Sequence, residues 1–196
     1  MRPGPAPLAI QEEIERAFRS PFGRSFYDRT TERVARDLLG QWLVRRTRYG
    51  LRAGRITETE AYVSGDAANH AQLGPTLRNR SMFGPPGTLY VYRVHQVHCA
   101  NAVTGFGTAV LFRSIEPLLG ISGDPKGPGR LCRELAIGPT EDGTSLVDGA
   151  LRVVPGLGPV GRIVRGVRVG IRRDAARPLR FALAGSPWVS SPRMRA

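Results

Sequence analysis

At 196 residues the chain is long enough for one domain with a substantial core and crowded for two. Hydrophobic residues make up 41% of it, which excludes a disordered polar chain, and no apolar run reaches the length of a membrane span. The formal net charge of +13 predicts a polyanionic partner, with nucleic acid ahead of an acidic membrane surface or an acidic protein. Lys126 is the only lysine, so a coding preference for arginine explains Arg over Lys. It does not explain the surplus of cations over carboxylates. Cys99 and Cys132 are too few for a disulfide framework and point to a reducing compartment. The start Met1-Arg2-Pro3-Gly4-Pro5 lacks the apolar stretch of a signal peptide.

In chain order, residues 1–20 are expected to be a loose, Pro/Gly-rich leader, 21–190 a single domain and 191–196 a tail. Thr30 is placed to cap a helix from Thr31 to about Leu39, with Val34, Ala35 and Leu38 as its apolar stripe and Gly40 as its stop. Trp42-Leu43-Val44 reads as a buried strand with Arg45-Arg46 as its polar exit. Leu51 to Tyr62 alternates like a strand, and a regular one would set Ile56, Glu58, Glu60 and Tyr62 on one face; a bulge would break that. Ser64 to Pro86 is a long irregular loop of the kind that carries function.

The turn Gly84-Pro85-Pro86-Gly87 leads into a strand from Thr88 to Val94. A strand pair follows from about His98 to Ser114, folded at Gly105-Phe106-Gly107. A short helix runs from Lys126-Gly127-Pro128-Gly129 to near Gly138, and Val160 to Val189 reads as β segments. Strands and helices do not alternate as in βαβ units. The expected class is therefore α+β: one mixed domain around a curved, largely antiparallel sheet, with peripheral helices and a protruding β-hairpin.

Chemistry concentrates between Arg55 and Asn101. Acids are scarce in this chain, yet Glu58 and Glu60 stand two residues apart beside Tyr62. Two carboxylates on one strand face repel, so one is expected to hold its proton to higher pH and serve as acid or base; the alternative is that each pairs with an arginine. Tyr62, Tyr90 and Tyr92 read either as core aromatics or as stacking plates. His95, His98, Cys99 and Cys132 match no closed metal-site spacing, and no metal is expected. Lys126, Gly127 and Gly129 could present backbone amides to a phosphate, although the turn lacks the Gly-Lys-Ser/Thr end of a P-loop. With one lysine available, base removal from a nucleic acid would use carboxylate-activated water rather than an amine nucleophile.

The strings Arg55-Ile56-Thr57-Glu58-Thr59-Glu60-Ala61-Tyr62, Asn69-His70, Thr76-Leu77-Arg78-Asn79-Arg80-Ser81-Met82-Phe83 and Pro86-Gly87-Thr88-Leu89-Tyr90-Val91-Tyr92 resemble the alkyladenine (3-methyladenine, or methylpurine) DNA glycosylases. So do Ala109-Val110-Leu111-Phe112-Arg113 with Glu116-Pro117, Gly127-Pro128-Gly129-Arg130-Leu131-Cys132, Pro178-Leu179-Arg180-Phe181 and Gly185-Ser186-Pro187-Trp188-Val189-Ser190. The matches are collinear from about residue 24 to 190.

The resemblance implies a monofunctional enzyme without a cofactor. It would flip a damaged purine from double-stranded DNA and cleave its glycosidic bond. By position Glu60 is the general base, while Arg113 and the carbonyl of Val169 help to hold the attacking water. Tyr62, His70 and Tyr92 sandwich the base, and Asn101 disfavours normal guanine. Glu58 becomes a supporting carboxylate.

Two departures from the family pattern stand out. His95-Gln96 replaces a tyrosine and glycine at the hairpin tip, where the tyrosine is the wedge that fills the gap in the duplex. The segment between Pro117 and Gly127 is shorter than usual and lacks a basic helical stretch. Both changes are expected to weaken the grip on DNA rather than the chemistry. A monomer is the simplest state, located in the cytoplasm with the nucleoid in a bacterium or in the nucleus of a eukaryote. The competing readings are a non-catalytic binder of lesions or distorted DNA and a basic ribonucleoprotein component.

Overall fold

The chain is organised around one long strand, β2 (Gly50–Tyr62), which takes three partners. In the computed structural model, which describes residues 7–192, the first half of β2 pairs with β1 (Trp42–Thr47). Its second half pairs with β8 (Arg180–Leu183), and β5 (Thr108–Leu119) runs along its other edge. The sheet continues through β4 (Val97–Gly105) to β3 (Leu89–Val94) on one side and through β1 to β6 (Leu151–Val154) on the other. β7 (Ile163–Gly166) pairs with β8. Every pairing is antiparallel, and the fold is the α+β single domain that the sequence led one to expect.

Helices α2 (Arg24–Tyr27), α3 (Thr31–Asp37) and α4 (Pro128–Glu134) complete the main core. In α3 the stripe Val34, Ala35 and Leu38 is buried against Ile56, Phe112 and Phe181. The Thr59 hydroxyl reaches from the sheet to the Ala35 carbonyl at 2.8 Å. Thr30 does precede this helix, but its side chain makes no capping hydrogen bond. No described helix is long and apolar enough to cross a membrane.

Three expectations need correction. The leader is not loose throughout, because Pro7–Phe18 forms helix α1. Ile14 and Phe18 bury themselves against Trp42, Val44 and Val154, and the Arg46 and Arg152 guanidiniums each lie 4.4 Å from the Phe18 ring centre. Arg45 and Arg46 belong to β1 rather than ending it, since β6 pairs alongside. The tail expected from residue 191 lies outside the described residues except for Ser191 and Pro192.

The third correction concerns the face of β2, and it makes the site. Ile56 pairs with Ile115 and Glu58 with Ser114, leaving Thr57 as an extra residue on β2. Glu58 pairs with Ser114 and Thr59 with Phe112, leaving Arg113 as an extra residue on β5. These two adjacent β-bulges reverse the alternation of both strands. Ile56 therefore joins Ala61, Phe112 and Ile115 in the core, while Glu58, Glu60, Tyr62 and Arg113 meet on the opposite side.

The β3–β4 hairpin turns through His95 (φ 44°) and Gln96 (φ 66°), with Val94 opposite Val97. Positive φ at both central residues is the tight type I′ turn, which matches strand twist but usually uses Asn-Gly. Each of these side chains accepts the left-handed region at a cost of about 1 kcal/mol. The reward is a taut tip on which Val94, His95, Gln96 and Val97 are all exposed.

Candidate active site

Four ionic groups and a serine form a buried cluster behind the bulges. Glu58 is fully buried and saturated: its Oε1 accepts from Arg113 Nε (2.8 Å), Arg180 Nε (2.7 Å) and Ser190 Oγ (2.8 Å), and its Oε2 accepts from Ser190 N–H (2.6 Å). Burial alone would raise its pKa. Arg113, Arg180 and the two Ser190 donors outweigh burial and bring the group below the usual carboxylate range.

Glu60 is just as buried but less well served. Its Oε1 lies 3.2 Å from Arg113 Nη1 and accepts the Val169 N–H at 2.8 Å; its Oε2 accepts only the Tyr62 hydroxyl, at 3.1 Å. Burial, helped by the charge on Glu58, pushes its pKa up despite Arg113, Val169 and Tyr62. Two neighbouring carboxylates with pKa values driven apart is the pattern of separated roles, one structural and one reactive. Both carboxylates pair with an arginine, as one alternative had it, and Glu60 is also the one that burial inclines to keep its proton.

Tyr62 leads from Glu60 to an aromatic slot lined also by Asn69, His70, Met82, Tyr90, Tyr92 and Asn101. His70 and Tyr92 touch edge to face with centroids 4.5 Å apart, and with Tyr62 they supply aromatic walls of the slot. The enclosed room is about 10 Å³, on the order of one water. That is far too little room for an aromatic bicycle, and the pliable Met82 side chain is one of the groups lining it.

Hydrogen bonds fix the slot from outside. His70 Nδ1 lies 3.0 Å from the Tyr90 hydroxyl. Asn69 Nδ2 donates to the carbonyls of Val63 and Gly107, both at 2.9 Å, and Asn79 Nδ2 donates to the His70 carbonyl at 2.9 Å. Asn101 Nδ2 donates to the Tyr90 carbonyl at 3.0 Å. Partial desolvation, and then Arg78, push the His70 imidazole below its usual pKa. A neutral ring is thereby favoured in the wall.

Of the residues singled out in the sequence, Glu60, Arg113, Val169, Tyr62, His70, Tyr92 and Asn101 come together in this cluster and slot. Val169 meets Glu60 through its N–H, whereas its carbonyl was the expected participant. His95 stands at the exposed hairpin tip, and Arg78 Nη2 braces that hairpin at the Arg93 carbonyl (3.1 Å).

The Lys126–Gly129 turn is built differently from the expected phosphate cradle. The Gly127 N–H faces inward to the Arg113 carbonyl (3.0 Å) and the Ser114 hydroxyl (3.1 Å). A Cβ on Gly129 would lie 2.7 Å from Val97, so that glycine serves close packing. Lys126 Nζ sits 3.7 Å from Asp124 and 5.5 Å from the Trp188 ring centre. Among the described residues no three His, Cys, Asp or Glu side chains converge as a metal-binding group.

Sequence reading missed Arg180 and Ser190, which saturate Glu58, and the pair Asp66–Arg168. The first two lie inside motifs already quoted for the resemblance. The pair carries no local signal, being one acid in a glycine-containing loop and one arginine among many.

The assembly sets a buried carboxylate beside an aromatic-lined slot, on a strongly basic protein. The family model described as methylpurine-DNA glycosylase (MPG) matches residues 25–187. A protein of Methanoculleus marisnigri, provisionally named a 3-methyladenine DNA glycosylase, is 47% identical over 187 residues, covering 85% of this chain and 96% of its own length. Proteins with the same provisional name from Anaeromyxobacter dehalogenans and Rhizobium etli are 48% and 42% identical, each covering 86% of this chain and 85% and 88% of their own lengths. The chain belongs to the methylpurine-DNA glycosylase family.

Proposed function

We propose that the protein is a monofunctional DNA glycosylase that flips alkylated purines out of duplex DNA and hydrolyses their N-glycosidic bonds. The observation that carries this reading is the asymmetry of Glu60: Oε1 is occupied by Arg113 and Val169, whereas Oε2, beside the slot wall Tyr62, has a single partner. A water donating one hydrogen to Oε2 and the other to the Val169 carbonyl would aim a lone pair at the sugar C1′. As that bond forms, the proton passes to Glu60 and the bonding electrons leave with the base. Alkylation at N3 or N7 makes the purine cationic, so it is attracted to the Tyr62, His70 and Tyr92 rings and departs without further protonation.

Water is preferred to an amine nucleophile because the only lysine, Lys126, lies against Asp124 and Trp188 and is not among the groups touching Glu60. Excision without strand cleavage by the enzyme itself follows. The test is incubation with methylated duplex DNA followed by hot alkali. Alkali-labile breaks that require the protein are expected; tight binding with no such breaks would make it a lesion-binding module instead.

His95 is the proposed wedge. Because imidazole fills less of the gap left by a flipped base than phenol, His95→Tyr is expected to tighten binding to a lesion duplex by about tenfold, equivalent to roughly 1.4 kcal/mol. Equal affinity of the two proteins in a titration would remove His95 from that role.

A further inference from the structure

Arg168 and Asp66 are the most deeply buried ion pair that the site does not obviously need. Both side chains are fully buried. Arg168 Nη1 and Nη2 each donate to one Asp66 oxygen, the second at 2.9 Å, in a two-pronged contact. Arg168 Nη1 also donates to the Ala61 carbonyl at 3.2 Å, and the guanidinium carbon lies 4.7 Å from the Tyr62 ring centre. Its Nε has no acceptor among the described residues. A buried pair with an unserved donor contributes little net stability, since desolvation offsets most of the attraction. Its placement says more.

Asp66 stands in the irregular loop that carries His70, and the Asp66 carbonyl accepts the N–H of Asn69, whose side chain lines the slot. Arg168 immediately precedes Val169, whose N–H is bonded to Glu60. Ala61, which Arg168 also binds, lies between Glu60 and Tyr62 on β2. One guanidinium thus joins the strand bearing the carboxylate, the loop bearing one wall and the segment bearing the amide. We infer that the Asp66–Arg168 pair is a positioning device that holds the Val169 amide on Glu60 and backs the Tyr62 wall. Arg168 is not among the residues lining the slot, so its effect passes through Val169 and Tyr62.

This inference rests on the reading of Glu60 as the base, and the test separates the two. The full chain is compared with Arg168→Lys and with the double variant Asp66→Asn/Arg168→Gln, which leaves no unpaired buried charge. Three properties are read: single-turnover release of 7-methylguanine from duplex DNA across pH, binding to a duplex with an abasic-site analogue, and hydrogen exchange of the Val169 amide. The double variant is expected to bind DNA nearly as the parent does but to release base about 100-fold more slowly, the scale of a misplacement near 1 Å.

Losing the Val169 donor removes support for the carboxylate that Arg113 and Tyr62 do not replace. The acid limb of the rate profile therefore moves to higher pH, and the Val169 amide exchanges faster. Arg168→Lys keeps the charge without the fork and is expected to fall between parent and double variant, which keeps the test decisive should the double variant not fold. A folded variant with parental rate, pH limb and Val169 protection overturns the inference. If the parent releases no base but its Val169 amide is protected and loses that protection in the variants, the positioning role stands and the excision reading falls.

Discussion

Replacing Glu60 by glutamine is expected to lower base release by about a thousandfold, within the usual range for loss of a general base, while DNA binding survives. Glutamine has nearly the same shape, so the Val169 N–H still finds an acceptor at Oε1. What is lost is the ability to take a proton from water. Quantitative release of 7-methylguanine from methylated duplex checks the rate, and a variant as fast as the parent would remove Glu60 from the reaction.

The same substitution makes a stability prediction of opposite sense. Burial raises the Glu60 pKa, so the fold prefers the protonated group. Its contribution is therefore most favourable at acid pH and declines as pH rises through the raised value. Glutamine cannot ionise. Melting curves of variant and parent should coincide in acid and separate toward neutrality, with the variant the more stable. With Glu60 as the proposed base, excision needs the form that the fold disfavours and should rise with pH through that same window, above the ordinary glutamate range.

Much of this was legible in the chain itself. The Val34, Ala35 and Leu38 stripe announces α3, and Gly105-Phe106-Gly107 announces a hairpin, because both signals are local. Leader residues Ile10, Ile14, Ala17 and Phe18 also recur at helical spacing, a signal masked by the Pro/Gly-rich residues before them. Glu60, Tyr62, His70 and Tyr92 could be singled out because collinear motifs mark them. How Glu58 and Glu60 divide their labour could not be read. It depends on paired bulges at Thr57 and Arg113, and a bulge is a property of two strands in register rather than of either sequence. Asp66 and Arg168 are 102 residues apart, and no pattern links them before the chain folds.

Glu58→Gln is expected to be the most damaging substitution for the fold. Glu58 is the shared counter-ion of Arg113 and Arg180, all three being buried. Removing one member of such a cluster leaves uncompensated charge and costs about 3–5 kcal/mol, or roughly 10 °C in melting temperature for a domain of this size. The sign differs from Glu60. The Glu58 pKa is lowered in the fold, so its contribution is complete above the ordinary glutamate range and is lost as pH falls through the lowered value. The gap between parent and variant should then be widest near neutrality and narrow in acid. Adding Arg180→Met to Glu58→Gln removes the orphaned guanidinium, leaving Arg113 with Glu60 as partner. Calorimetry should show the double variant more stable than Glu58→Gln alone. If the second substitution deepens the loss instead, Arg180 holds the Ser190 segment through its 3.0 Å bond to the Ser190 carbonyl more than it balances charge.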